Sequence, residues 1–202
     1  MIISHKFKFI FVKTAKTAGT SIEVFLSKLC GPLDIISPII PPIAFHSPQN
    51  YDGFFNHIPA HAIRSQIKPE HWCSYFKFCV ERNPWDKTIS HFHAMKSRQD
   101  NNLTFERYIS NGKFPVNFSK YTEPDNPQKI IVDKVLYYER LMVDLDQVFK
   151  RLEIPFDGSL GVNAKSEYRT DRRPYREVYS SEQAAQIAEA FKHELFLHGY
   201  VF

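Results

Sequence analysis

The sequence predicts an α/β fold with three layers, in which helices flank a central, mostly parallel sheet. Two observations predict this class. Apolar runs of strand length alternate with segments that carry apolar residues at helical spacing. The runs also lack the polar–apolar alternation of a strand with one wet face, so they fit strands covered on both sides. The 202 residues, 43% hydrophobic and 15% aromatic, are enough for one layered domain spanning residues 1–202.

The first predicted unit is a strand, a short loop and a helix. Residues 7–12 are nearly all apolar or aromatic and predict a buried strand. The segment after the loop carries apolar side chains at i, i+3, i+4 and i+7, namely Ile22, Phe25, Leu26 and Leu29. We expect this helix to end before Gly31 and a further strand to lie within residues 35–40.

A second unit of the same kind follows. Residues 59–67 predict a short helix, and residues 75–80, rich in aromatic and β-branched side chains, predict a second buried strand. Asn83 and Pro84 then supply an N-cap and a first-turn proline, so another helix is expected to begin there.

The second half of the chain predicts one more strand, two helices and a capped C-terminal helix. Ser180 and Gln183 form a capping-box pattern, which predicts a final helix that runs through Leu195 and ends before Gly199. The other predicted elements are a short helix at residues 104–110 in an otherwise loop-forming stretch 97–129, a third strand at residues 135–138, and an amphipathic helix at residues 141–152.

The bulk charge disfavours some partners. A net charge of +4 and an isoelectric point of about 8.9, without a clustered run of lysines and arginines, do not indicate nucleic acid. The mild positive charge fits a small polyanionic ligand. No apolar run reaches 18 residues, so neither a membrane anchor nor a signal peptide is expected.

The cysteine pattern indicates the cellular compartment. Cys30, Cys73 and Cys79 form no CxxC pair and are odd in number, which disfavours a disulfide framework and favours the reducing cytoplasm. A trimmed luminal domain would have the same composition. The sequence does not indicate an oligomeric state.

The first strand–helix loop, residues 13–21, has the parts of an anion cradle. Small residues let backbone amides approach an oxyanion, and the following helix points its positive end at the same place. Lys16 adds a full charge. The loop is P-loop-like, but it lacks the Walker spacing G-x-x-x-x-G-K-S/T, because Lys16 precedes Gly19. No carboxylate for Mg²⁺ is evident, so a donor that reacts without a metal fits better than ATP. The alternative is that the loop is a simple connection.

A second motif, residues 81–90, follows the second predicted strand. Arg82 stands at the end of that strand, and Ser90 lies eight positions later, about two turns into the next helix. An arginine fork with a hydroxyl on one side of a cleft is typical of a terminal-phosphate site.

These two motifs, in this order, resemble those of the sulfotransferases that use 3′-phosphoadenosine 5′-phosphosulfate (PAPS). The likeness is to the carbohydrate-type branch, which includes heparan sulfate 2-O-sulfotransferase and many bacterial sulfotransferases. Residues 15–21 resemble its 5′-phosphosulfate loop (PKTGGTS or PKTASTS), with Ala15 in place of proline. Residues 81–90 resemble its 3′-phosphate motif V-R-N/D-P-x-D/E-R-x-x-S, with Glu81 before Arg82 and Lys87 for the later arginine. Segments 163–166, 174–176 and 196–200 are similar to the family's C-terminal region.

The resemblance implies roles for the matching residues. Lys16 would contact the bridging oxygen and the sulfuryl group, and Lys13, where relatives can have arginine, could touch the donor too. Arg82 and Ser90 would bind the 3′-phosphate. The 5′-phosphate would be held by Thr17, Ala18, Gly19, Thr20 and Ser21. From the C-terminal loop, Arg169 is the best match among Arg169, Arg172 and Arg173 for an arginine that closes over the donor; a solvated basic loop is the alternative.

A proton acceptor is expected shortly before the helix that precedes the 3′-phosphate strand, as in the 2-O-sulfotransferase branch. His57 is the candidate base and His61 the reserve; a surface or core histidine is the alternative for either. The pairs His57/His61 and His91/His93 have no third ligand, so no metal is predicted.

The sequence therefore predicts an enzyme that transfers the sulfuryl group of PAPS to an acceptor hydroxyl and releases 3′-phosphoadenosine 5′-phosphate (PAP). A carbohydrate acceptor is favoured by the branch resemblance, and a small-molecule hydroxyl remains open. Residues 31–56 and 97–129 are expected to shape the acceptor pocket. A P-loop nucleotide kinase or phosphotransferase, or a non-catalytic nucleotide- or glycan-binding protein, is the alternative.

Overall fold

The strands and helices come from a computed structural model, which describes residues 1–161, 171 and 173–202. Within these residues the strands are β1 (Ile2–Ser4), β2 (Phe9–Phe11), β3 (Ile35–Ile36), β4 (Phe76–Glu81), β5 (Thr122–Glu123), β6 (Asn126–Ile130) and β7 (Lys134–Tyr137). The helices are α1 (Gly19–Ser27), α2 (Ala60–Gln66), α3 (Pro69–Ser74), α4 (Pro84–Arg98), α5 (Phe105–Ser110), α6 (Leu141–Arg151), α7 (Ser181–Ala190) and α8 (Lys192–His198).

The central sheet has the strand order β3-β1-β2-β4-β7. Strand β1 pairs antiparallel with both β2 and β3, whereas β2–β4 and β4–β7 pair in parallel. Every strand of this sheet except β1 therefore runs in one direction, and helices flank the sheet. The predicted α/β class with a mostly parallel sheet is confirmed. Strands β5 and β6 form a separate antiparallel hairpin.

Both faces of the sheet are covered by other elements. Consecutive strand residues point to opposite faces, and both sets of side chains are apolar, so each face needs to be buried. In β2, Phe9 and Phe11 pack on the face covered by α1 and α6. Ile10 packs on the other face with Ile63 of α2. This double burial explains why the strand sequences lack polar–apolar alternation. A third cluster around Trp85 joins α4, α5 and α7 beside the sheet.

The predicted helix caps are present. The Asn83 side chain accepts hydrogen bonds from the amides of Trp85 (3.1 Å) and Asp86 (3.3 Å), so α4 begins where the sequence predicts. The Ser180 and Gln183 side chains form both halves of a capping box at the start of α7. Because these signals are local, they could be read without knowledge of the packing.

Several elements differ from the predictions. Strand β1 and helix α3 were not predicted, and the strand expected within residues 35–40 is only Ile35–Ile36, because prolines follow closely. The stretch expected to be loop contains the β5–β6 hairpin. The predicted final helix is divided at Phe191, which leaves helical geometry (φ −108°, ψ 20°) with its side chain fully buried.

Within the described ranges, none of the helices has both the length and the apolar character needed to cross a bilayer.

Candidate anion-binding and catalytic site

The two sequence motifs meet at one edge of the sheet. Strands β2 and β4 are parallel neighbours, so the loop after β2 and the Arg82–Asn83 turn after β4 leave the sheet side by side. The Arg82 Nη1 group donates a hydrogen bond to the Lys16 carbonyl at 3.1 Å. The Thr14 hydroxyl donates to the Val80 carbonyl at the end of β4. These bonds fix the loop against the second motif.

The loop has the backbone shape of an anion-binding concavity. Lys16 (φ 63°) and Ala18 (φ 61°) are both left-handed, while Thr17 between them is not, and alternation of this kind turns successive amides toward a common point. Helix α1 then begins at Gly19, with no acidic residue in its first turn to offset the positive end of its dipole. A Cβ on Gly19 would lie 2.9 Å from Lys13 Cγ, so a larger residue would push the loop outward.

The ammonium group of Lys13 is buried in an ion pair and does not point freely into the loop's concavity. Lys13 is only 2% exposed, and its ammonium group donates to Glu23, which also bonds the Met1 amino group. Burial lowers the pKa of Lys13, and the Glu23 carboxylate opposes that shift. Lys13 therefore anchors α1 to β2, and a direct contact between Lys13 and a donor stays a prediction.

Arg82 is buried at the junction, with three of its N–H groups engaged. Its Nε and Nη2 atoms donate to one oxygen of Asp86 at 2.8 and 2.6 Å, and Nη1 donates to Lys16. The guanidinium also stacks 4.0 Å from the ring centre of Tyr138. A guanidinium has five N–H donors, so two have no hydrogen-bond partner among the described residues. Ser90 lies about two turns into α4 and is partly exposed.

A groove of about 620 Å³ adjoins the loop. This volume is in the range of sites that hold drug-sized ligands. Its walls come from the start of α1, the turn after β7 with the start of α6, and the segment before residue 162. The lining residues are Ala18, Ser21, residues 138–143 and residues 158–161.

The candidate base His57 lies beside the loop. Its Nδ1 is 3.2 Å from the Lys13 carbonyl, which can only accept a hydrogen bond, so Nδ1 carries the proton and Nε2 has the free lone pair. Burial, then the nearby Lys13 charge, lowers the pKa of His57 to about 4, and the ring is therefore neutral at pH 7. His57 also has a left-handed backbone (φ 62°). Such strain clusters at functional sites.

Of the reserve histidine and the basic cluster, the structure describes His61 and Arg173. His61 lies in the first turn of α2, and among the described residues its Nδ1 has no hydrogen-bond partner. Arg169 and Arg172 lie outside the described residues. Arg173 is exposed and pairs with Asp171. Among the residues described, no three His, Cys, Asp or Glu side chains form a group that could hold a metal.

A buried polar network beneath the loop was not predicted. Glu81, fully buried at the end of β4, accepts hydrogen bonds from Lys87 Nζ (2.6 Å), Asn117 Nδ2 (3.3 Å) and the Tyr121 hydroxyl (3.1 Å). Lys87 is also fully buried. The backbone N–H groups of Asn117 and Phe118 both donate to the carboxylate of Glu194. Burial raises the pKa of this carboxyl group.

The network accounts for all three departures from the family motifs. Glu81 and Lys87, each a departure on its own, form one ion pair. Ala15 donates its amide hydrogen to Asn117 Oδ1 at 2.9 Å, and Asn117 Nδ2 returns a bond to the Ala15 carbonyl at 3.1 Å. Proline has no amide hydrogen and could not make the first bond. Ala15 and Glu81 both bond Asn117, and Lys87 joins this network through Glu81. No sequence pattern marks Asn117.

Comparisons with known proteins agree with this architecture. No protein-family model matches the chain. An uncharacterised protein of Archaeoglobus fulgidus is 33% identical over 113 residues, which are 54% of this chain and 94% of the relative. The chain therefore belongs to the same family as that archaeal protein. Mouse sulfotransferase SULT7A1, solved in complex with PAP, matches 98% of this chain and 87% of its own, with a TM-score of 0.59 and 13% identity. At this identity the likeness shows the fold, which is that of a sulfotransferase.

The Ala15–Asn117 bond predicts that the family's usual proline is harmful here. Ala15→Pro leaves the buried Asn117 Oδ1 without a donor, so the free energy of unfolding should fall by about 1–3 kcal/mol. Urea unfolding measures the change, with Ala15→Ser, which keeps the amide hydrogen, as the matched control. In an Asn117→Ala background the proline should be less harmful. Equal effects in both backgrounds would show that the bond does not stabilise the loop.

The depressed pKa of His57 predicts a loss of stability in acid. The ring ionises near 6.5 when unfolded and near 4 when folded, so the unfolded chain binds more protons between these values. Stability should therefore fall as the pH decreases through this window. Urea unfolding at about pH 7.5 and about pH 5 should show a smaller change for His57→Gln than for the wild type. Lys28→Gln, exposed at the end of α1, is the control. The same change in wild type and His57→Gln would contradict the assignment.

Proposed function

We propose that this chain is a sulfotransferase that moves the sulfuryl group of PAPS to an acceptor hydroxyl by in-line transfer. The observation that carries the proposal is the junction of the two motifs, joined by the Arg82–Lys16 bond at one sheet edge. That edge offers anion-binding groups to both ends of a donor phosphorylated twice. The likeness to a structure solved with PAP supports the same donor.

At the 5′ end of the donor, the amides and hydroxyls of residues 17–21 would hold the 5′-phosphate. The first-turn amides of a helix have no carbonyl partner within the helix, and the dipole of α1 adds attraction for an anion. Lys16 would place its charge on the bridging oxygen, where negative charge develops as the sulfur–oxygen bond breaks.

At the other end, Arg82 and Ser90 would bind the 3′-phosphate. The two remaining N–H groups of Arg82 allow it to hold Lys16 and an anion together. The groove between Ala18 and residues 138–143 has room for the adenosine. Arg169 is proposed, on the family resemblance, to close over this end.

His57 would act as the base. Its unprotonated Nε2 can accept the proton of the acceptor hydroxyl while the acceptor oxygen bonds to sulfur and the sulfur–phosphate oxygen bond breaks. The products are a sulfate ester and PAP, and the proton ends on His57. The low pKa keeps the ring neutral, and therefore able to accept a proton, over most of the pH range.

The acceptor is proposed to be a carbohydrate hydroxyl. This rests on the likeness of both motifs to the carbohydrate-type branch. A small-molecule hydroxyl is the other outcome of an acceptor screen, which would detect the added sulfate by mass.

PAP binding is the first test. PAP at about 100 times its Kd should stabilise the fold by about 2.7 kcal/mol, seen as a raised melting temperature. ATP with Mg²⁺ should do less. Arg82→Ala should weaken PAP binding by roughly 10- to 100-fold, because it removes a charge-assisted contact. Arg151→Ala, at the far end of the sheet, is the matched control. Stabilisation by ATP with Mg²⁺ but not by PAP would favour a nucleotide kinase and overturn the proposal.

Transfer activity separates an enzyme from a binding protein. Lys16→Ala should lower kcat by roughly 10²- to 10³-fold through loss of charge stabilisation. His57→Ala should lower kcat by roughly 10²- to 10⁴-fold and leave PAP affinity near that of the wild type, because it acts on the acceptor. Lys28→Ala, exposed at the end of α1, is the control. PAP binding without transfer to any hydroxyl in the screen would indicate a non-catalytic protein.

A further inference from the structure

Four aromatic side chains form a cluster at the start of α4, beside the Arg82–Asn83 turn. Trp85, in the first turn of this helix, is only 2% exposed. Its ring stacks on that of Tyr175, with centroids 6.3 Å apart and planes at 13°, and its centroid lies 5.3 Å from that of Phe202. The Phe202 ring also lies 5.8 Å from Tyr175 and 6.1 Å from Tyr179. We call Trp85, Tyr175, Tyr179 and Phe202 the aromatic clamp.

Hydrogen bonds hold Trp85 in one orientation within the aromatic clamp. Its indole N–H donates to the Ala184 carbonyl of α7 at 3.0 Å. Its backbone carbonyl accepts a hydrogen bond from the Tyr179 hydroxyl at 2.8 Å. Both ends of the residue are therefore tied to α7 and to the segment before it, and the first turn of α4 is fixed with them.

The aromatic clamp also reaches the residue that caps α4. The Asn83 Nδ2 group donates to the Tyr175 hydroxyl at 3.4 Å, and this hydroxyl donates in turn to the Val201 carbonyl at 3.5 Å. The backbone N–H of Asn83 donates to Glu139 at 2.7 Å, and the other oxygen of that carboxylate accepts a bond from the Tyr200 hydroxyl at 3.3 Å. Two separate routes therefore join Asn83 to the segment that carries Tyr200 and Val201.

Arg82 depends on the first turn of α4 for its orientation. Its Nε and Nη2 groups both donate to Asp86, which follows Trp85 in that turn. A guanidinium binds a phosphate well only when its planar fork is aimed at the oxygens, so a shift of this turn would weaken the contact. The loop of residues 13–21 is held differently, by the bonds between its Ala15 and Asn117.

We propose that Tyr175 and Phe202 are positioning residues that aim Arg82 at the 3′-phosphate of the donor. This inference rests on the proposed function. The two residues act through the first turn of α4, which holds Arg82 by way of Asp86. Their rings pack on Trp85, and neither is assigned a contact with the donor. A binding group keeps its geometry when the side chains behind it are locked by packing and hydrogen bonds.

Two nucleotides separate this role from general support of the fold. PAP and adenosine 5′-monophosphate (AMP) differ only in the 3′-phosphate. A residue that positions Arg82 should affect the affinity for PAP and leave the affinity for AMP near that of the wild type. A residue that only supports the fold should weaken both alike, so the ratio of the two dissociation constants would stay constant.

The test is titration calorimetry of the whole chain with PAP and with AMP. Phe202→Ala should raise the Kd of PAP by roughly 5- to 10-fold and that of AMP by less than about twofold, because Arg82 is kept but is less well aimed. Phe202→Leu, which keeps apolar bulk, should lie between Phe202→Ala and the wild type. Tyr175→Phe keeps the ring and loses the hydroxyl, and should raise the Kd of PAP by roughly 2- to 4-fold. Phe196→Ala, an exposed phenylalanine of α8, is the matched control and should bind both nucleotides as the wild type does.

Two results would overturn this inference and leave the proposed function standing. One is a ratio of PAP to AMP dissociation constants in folded Phe202→Ala within about twofold of the wild type. The other is an equal loss of affinity for both nucleotides in Phe202→Ala and Tyr175→Phe, which indicates a structural role. If Phe202→Ala does not fold, Phe202→Leu and Tyr175→Phe decide by the same ratio. If the wild type binds PAP no more tightly than AMP, the proposed 3′-phosphate site is absent, and the proposed function fails together with this inference.

Discussion

The buried carboxylate of Glu81 is the interaction on which the site's geometry depends. It sits where β4 ends and accepts bonds from the Arg82 amide, Lys87, Asn117 and Tyr121. A fully buried charge is tolerated only when its partners are complete, and removal of one partner leaves an expensive orphan. The end of the strand, the first turns of α4 and the loop through Asn117 are therefore fixed relative to one another. The residues of both motifs that are proposed to bind the donor therefore depend on this one carboxylate for their positions.

Above the Glu81 network, three residues of the site have a strained backbone. Lys16, Ala18 and His57 each hold a left-handed backbone that side chains rarely adopt. Conformations of this kind persist only where the surroundings over-determine them. The Ala15–Asn117 pair and the Arg82–Lys16 bond supply that constraint from opposite sides of the loop. The site thus combines an unfavourable local conformation with a network of buried hydrogen bonds beneath it.

The sequence predicted what local patterns control. Apolar runs located β2 and β4, and the Asn83 cap located α4, so both strand–helix junctions of the site were found. It did not predict β1, the short strand at Ile2–Ser4. It also missed Asn117, because nothing within its own segment reveals that it bonds Ala15. The Glu81–Lys87 pair appeared only as two separate departures from a motif. Contacts between distant segments produce no periodic pattern in the sequence, and contacts of this kind stabilise the site.

The large sequence separation between Ala15 and Asn117 also affects the order in which the molecule folds. The two residues bond across 102 positions, and Asn117 in turn bonds Glu194 across a further 77. Contacts so remote form only after long loops close, which slows their appearance. The bonds from Ala15 to Asn117 and from Asn117 to Glu194 can be complete only after residue 194 has been synthesised. The loop shape that the proposed function requires is therefore completed late in the folding of a newly made molecule.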